Sequence, residues 1–189
     1  MKTAIILHGM PSKEEYFSPG GSPQSTKHWL PWIQHQLILN GILAQTPEFP
    51  EPYEPVYEKW ASVFEQFAIG EDTMLIGYSG GGGFLVRWLS ENKVKVGKVV
   101  LVAPFLDSDH DEVKSNFFDF GIDENIAERT QGIFMIFSVD DDREILDSVN
   151  RIRSKVKNIQ IVELQKGGHF TMSDMKTEEF PELRDLLLK

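Results

Sequence analysis

The 189-residue sequence contains no cysteine. Disulfide bridges and thiolate metal sites are therefore excluded. The absence also fits a reducing compartment, so a cytoplasmic location is expected. Positive charge is scarce too: 19 Lys and Arg stand against 29 Asp and Glu, a formal net charge of −10. Nucleic-acid binders draw most of their affinity from Lys and Arg clustered on phosphates, so no nucleic-acid partner is expected. No apolar stretch approaches the ~20 residues of a membrane span, and no membrane partner is expected. The first apolar run, Ala4-Ile5-Ile6-Leu7, stops at His8-Gly9, well short of a signal-peptide core. Metal-binding spacings are missing as well, with no H-E-x-x-H among the histidines and carboxylates. The run Asp107-Ser108-Asp109-His110-Asp111-Glu112 has the look of a calcium loop. Glu112 nevertheless stands where that loop needs glycine, and Phe118 where it needs its closing glutamate. Neither a metal nor an organic cofactor is expected.

What the chain does contain is a regular alternation of short apolar runs and helical patterns. Strands are expected at Ala4–Leu7, Gly41–Thr46, Thr73–Tyr78, Lys98–Ala103, Ile133–Val139 and Asn158–Leu164. Helices are expected at Trp29–Asn40, Val56–Ile69, Phe84–Asn92, Glu144–Val156 and Pro181–Leu188. The Pro47–Pro55 segment carries four prolines and reads as extended loop. Strands without polar alternation, joined by helices, indicate a parallel sheet covered on both faces. With no repeat or linker in view, residues 1–189 read as one α/β domain, a three-layer α/β/α sandwich of about six mainly parallel strands.

The segment TMLIGYSGGGGF, residues 73–84, places a serine and four glycines between a strand and a helix. Each glycine in a helix start costs about 1 kcal/mol relative to alanine, so this turn needs backbone without side chains. A P-loop would end in Gly-Lys-Ser/Thr, whereas Phe84-Leu85 stands there, and no glycines fall at the i, i+2, i+5 spacing of a dinucleotide loop. The pattern Gly77-x-Ser79-x-Gly81 instead fits a nucleophile elbow, a turn so sharp that the serine is strained and its neighbours must lack bulk. Such a serine needs a base for its proton and a third group to orient that base. On an open α/β sheet these follow in the order Ser, acid, His. Asp140-Asp141-Asp142 follows the fifth strand, and Gly167-Gly168-His169 follows the sixth. From the residues alone the three aspartates are of equal chemistry. Gly80, next after the serine, is a candidate amide donor to a developing oxyanion.

LHG at Leu7–Gly9, GYSGG at Gly77–Gly81, SVDD at Ser138–Asp141 and GGHF at Gly167–Phe170 together resemble the α/β-hydrolases. The likeness is greatest to the small serine hydrolases of the retinoblastoma-binding-protein-type, YdeN-like group, and it spans nearly the whole chain. The resemblance implies the strand order 2-1-3-4-5-6, a Ser79-Asp141-His169 triad, little lid, and a small-molecule acyl substrate. In that group the acid precedes a proline, and here Asp142 holds the proline's place. Matching by position therefore makes Asp141 the acid and Asp140 the reserve. Asp142 is least favoured, and the two side chains not chosen point elsewhere in the turn. The resemblance also implies a second oxyanion donor from Gly9 or Met10, with Met10 a floor for the acyl pocket.

Phe105 and Phe118, with the aromatics Phe117 and Phe120, are candidates for the acyl-binding wall. His8 reads either as support for the site or as a plain strand-end histidine. The polar loop Met10–Lys27 reads either as a wall of the cleft or as a surface loop ahead of the packed Trp29 and Trp32. Two functions follow: a serine hydrolase of esters, thioesters or amides, or a hydrolase-fold module that binds a protein partner with little turnover.

Overall fold

The computed structural model describes residues 1–21, 23–106 and 116–189, so the acidic run Asp107–Glu112 lies outside the described residues. Six strands are present: Thr3–Leu7 (β1), Leu43–Gln45 (β2), Thr73–Tyr78 (β3), Val99–Val102 (β4), Ile133–Ser138 (β5) and Gln160–Leu164 (β6). They form one sheet in the order β2-β1-β3-β4-β5-β6, and every pairing is parallel. This is the order that the resemblance to the α/β-hydrolases implied. Burial explains why the central strands read as unbroken apolar runs: every residue of β3 and β4 is buried. The edge strands β2 and β6 are only partly covered.

Among the described residues the helices are Lys13–Phe17 (α1), Leu30–Leu39 (α2), Tyr57–Phe64 (α3), Gly80–Glu91 (α4), Arg143–Lys155 (α5), Met172–Met175 (α6) and Pro181–Leu188 (α7). Prolines in the first turns of α2 and α7 suit positions whose amides lack intrahelical partners. On α5 the buried residues Ile145, Ser148, Val149 and Ile152 form a single stripe at helical spacing. Rings of α3 pack on α4, Trp60 and Phe64 against Phe84, and Phe64 against Trp88. Helices α2 and α7 pack against each other elsewhere on the sheet.

Three expectations need correction. The helix after β3 begins at Gly80 rather than Phe84, so all four glycines are helical and buried. Helix α3 ends at Phe64, not Ile69, where the Gln66 and Phe67 amides turn back to the Val63 and Phe64 carbonyls in tighter loops. The loop Met10–Lys27 holds structure of its own, with α1 and a 3₁₀ turn at Gln24–Thr26. Ser12 caps α1 by accepting the Glu15 amide, and the Glu48 carboxylate accepts the Gln24 and Ser25 amides.

The glycines answer to space. A Cβ on Gly77 would lie 2.6 Å from the Gly81 carbonyl oxygen, and one on Gly81 would lie 2.5 Å from the His8 carbonyl oxygen. Both obstacles are backbone, which cannot swing aside. A Cβ on Gly70 by contrast would meet nothing within 4 Å. Gly81→Ala should therefore destabilise the fold by about 1–3 kcal/mol despite alanine's better helix propensity. Gly70→Ala should stay within about 0.5 kcal/mol of the parent. Urea unfolding of the two variants compares them; equal midpoints would refute the close-approach explanation.

Candidate active site

Ser79 sits between the end of β3 and the start of α4, with φ 52° and ψ −119°. Positive φ is costly for a side-chain-bearing residue and persists only where surroundings hold it. Here the Ser79 amide donates to Val102 O at 2.9 Å. Its carbonyl accepts from Gly82 at 2.9 Å, Phe105 at 3.0 Å and Gly83 at 3.1 Å. The strained residue is thus tied to the end of β4 and to the first turn of α4.

The Ser79 hydroxyl lies 2.9 Å from His169 Nε2, and His169 Nδ1 lies 3.0 Å from Asp141 Oδ2. The Asp141 side chain is fully buried, while that of His169 is a quarter exposed. Asp141 also accepts the Asp142 amide at 2.7 Å, which orients its carboxylate. Of the three adjacent aspartates, Asp141 is the one brought to His169. Asp142 serves as the N-cap residue of α5.

Asp140 does not simply point away, contrary to expectation. Its Oδ1 accepts the Ser138 hydroxyl and the Gly168 amide, the latter at 2.9 Å, and these bonds hold its carboxyl below the usual range. The loop after β5 is thereby clasped to the loop after β6. Two more bonds grip His169 by its backbone: Tyr78 Oη donates to its carbonyl at 2.7 Å, and its amide donates to Asp174 Oδ2 at 3.1 Å. Burial opposes ionisation of Asp174, but the bonds from Thr171 and His169 outweigh it and lower its pKa. Neither Tyr78 nor Asp174 stands out in the sequence as a site residue. The T-x-x-D spacing of Thr171 and Asp174, which forms a capping box on α6, is a signal for the second.

Gly9 and Met10 pass beside the serine. A Cβ on Gly9 would come 3.1 Å from Ser79 Cβ, and the Met10 side chain fills the space beside Gly80. Among the described residues no hydrogen bond engages the Met10 or Gly80 amide. His8 is buried, and both its ring nitrogens are committed to backbone. Nδ1–H donates to Gly9 O at 2.8 Å, and Nε2 accepts the Phe49 amide at 2.9 Å. Burial pushes its pKa down and keeps it neutral. Because a trans peptide directs its N–H opposite to its C=O, the bond to Gly9 O fixes the Met10 N–H on the other side.

Around these groups runs a cleft of ≈ 90 Å³, whose lining includes Met10, Glu15, Gln24, His28, Ser79 and His169. The Met10–Lys27 loop therefore supplies a wall. Phe105 and Phe118 do not line it. Phe118 is buried, and its ring edge together with the Phe105 carbonyl oxygen takes up the space a side chain on Gly83 would need. Phe105 lies edge-on to it, with centroids 5.5 Å apart. Among the described residues no cluster of His, Asp and Glu could hold a metal, and no helix is long and apolar enough to cross a membrane.

A parallel sheet in this order, with a strained serine at the β3–α4 turn, defines an α/β-hydrolase fold. The serine hydrolase family model matches residues 16–189, and the chain belongs to that family of hydrolases. It is 28% identical over 185 residues to YdeN of Bacillus subtilis (strain 168), a provisionally assigned hydrolase, spanning 93% of this chain and 95% of that protein. The crystal structure of the B. subtilis ydeN gene product superposes with a TM-score of 0.83 at 24% identity, covering 100% of this chain and 97% of the other. Est1E from Butyrivibrio proteoclasticus with bound ferulic acid shares the fold at a TM-score of 0.69 and 12% identity, covering 100% and 88%.

His28, in the same cleft, is a second histidine with a lowered pKa. Burial, with Lys27 and His169 adding to it, lowers the pKa of His28 to about 4 from an ordinary 6.5. A lowered pKa means that the folded state resists the proton. His28 therefore supports the fold fully above pH ~6.5, and that support is lost as pH falls through about 4. His28→Asn does not titrate. Between pH 7 and 4 the parent should lose more stability than this variant, read as midpoints of urea unfolding. Parallel pH profiles would rule the coupling out.

Proposed function

We propose that the protein is a serine hydrolase that cleaves a small ester, thioester or amide through an acyl-enzyme on Ser79. The observation that carries this is the unbroken hydrogen-bond chain from Asp141 through His169 to Ser79. In the first half-reaction Ser79 Oγ attacks the acyl carbon while His169 Nε2 takes its proton. Asp141 steadies the resulting imidazolium, and the carbonyl oxygen gathers charge in front of the Met10 and Gly80 amides. His169 then passes the proton to the leaving group. Water repeats the sequence on the acyl-enzyme, with His169 as base, and restores Ser79.

The small cleft favours a short acyl group, and the ester-type substrate draws support from fold neighbours described as Est1E with bound ferulic acid and as lipolytic enzymes. The lack of cysteine suits work in a reducing cytoplasm. A purely binding role would have no use for a base and an acid aligned on the serine hydroxyl.

A fluorophosphonate probe should label the protein, and Ser79→Ala should abolish labelling. On a p-nitrophenyl ester, Ser79→Ala and His169→Ala should each lower kcat ~10⁶-fold, with the double variant no slower than either. Absence of labelling in folded protein would sink the hydrolase mechanism and favour the binding module. Among the acids, Asp141→Asn should lose ~10⁴-fold. Asp140→Asn, which loosens only the His169 loop, should lose at most ~100-fold, and Asp142→Asn less. A larger loss at Asp140 than at Asp141 would reassign the acid.

A further inference from the structure

His28 precedes α2 with φ 56°, a backbone state that asparagine tolerates and most residues resist. Its ring meets the edge of Tyr78, centroids 5.8 Å apart, and its Nδ1 accepts the Met172 amide at 3.0 Å. An imidazole nitrogen that accepts a hydrogen bond carries no proton, so in the neutral ring the proton belongs to Nε2. Among the described residues Nε2 has no hydrogen-bond partner, yet it is not sealed from solvent. The residue lines the same cleft as Ser79 and His169. The ring that carries this donor therefore stands on the wall of the space in which an acyl group would lie.

Its neutrality matters there. A second imidazolium would oppose the charge that His169 must accept during the reaction, and burial keeps His28 uncharged down to about pH 4. The Glu15 carboxylate, an acceptor only, is also part of the lining. Gln24 gives one of its two side-chain N–H groups to Gly21 O. With a net charge of −10 besides, the site disfavours an anionic group.

Building on the serine-hydrolase reading, we propose that His28 contacts the substrate, its Nε2–H donating to an uncharged oxygen close to the scissile carbonyl. The substrate class is accordingly short acyl esters bearing a hydroxyl, ether or carbonyl oxygen, in preference to plain alkyl esters. An alkyl chain of the same size would cover the Nε2–H without replacing the water it loses, and an unpaired donor of this kind is what makes polar sites selective.

The test uses p-nitrophenyl methoxyacetate and p-nitrophenyl butyrate, whose acyl chains differ by an oxygen in place of a methylene. Each variant is compared with the parent on both esters, so the intrinsic reactivity of the esters cancels. In His28→Asn the side-chain oxygen takes over the Met172 amide and the backbone tolerates positive φ, but nothing stands at Nε2. The methoxyacetate-to-butyrate ratio of kcat/KM should fall about 10- to 100-fold. His28→Gln, whose amide N–H reaches the Nε2 position, should restore part of it. An unchanged ratio in His28→Asn, whether both esters slow together or neither does, overturns the assignment while Ser79 labelling keeps the hydrolase reading alive. Labelling without turnover of the methoxyacetate overturns the substrate class. Failure of both labelling and turnover brings down the underlying reading and this inference with it.

Discussion

Everything at the site depends on how closely β1, β3 and α4 approach one another. At Gly77 and Gly81 the neighbouring chain comes within a distance that admits no side chain. That contact forces the sharp turn that leaves Ser79 at positive φ, and the strain is absorbed by four backbone hydrogen bonds from β4, α4 and Phe105. The same approach sets Gly9 against Ser79 and the Met10 side chain beside Gly80. Steric emptiness, rather than any favourable contact of the glycines themselves, positions the Ser79 hydroxyl.

The histidine is held by a different principle. Gly168 has φ 51°, and the space a side chain would take there is filled by Asp174. A loop with so little intrinsic preference is fixed from outside, by Asp140, Tyr78 and Asp174 acting on three backbone groups of Gly168 and His169. Three adjacent aspartates consequently do three unlike things: one clasps a neighbouring loop, one meets the imidazole, and one begins a helix.

The fold is legible in the sequence because burial on both faces turns central strands into apolar runs, which helices of the right spacing separate. Strand order is legible through resemblance alone, since periodicity carries no information on neighbours. The start of α4 departs from expectation because glycine's low propensity argues against a helix, whereas tertiary packing requires glycine there. Ser79 and His169 stand out through local spacing, but nothing in three identical carboxylates distinguishes the one that reaches His169. The packing of Phe118 beside Gly83, away from the cleft around Ser79, is a contact invisible along the chain. His28 and Tyr78 belong to the same category: their importance comes from meeting Met172 and His169 across the sheet edge.

β6 lies at one border of the sheet, and none of its residues is fully covered. It leads directly into the segment that carries His169, whereas Ser79 follows β3, which is buried from end to end. The two ends of the hydrogen-bonded pair are thus anchored in parts of the molecule with very different resistance to local opening. Detachment of the border strand would part imidazole from hydroxyl while the inner strands remained zipped. Loss of the site and loss of the fold are therefore separate events in this architecture, and the first requires far less of the protein to come apart.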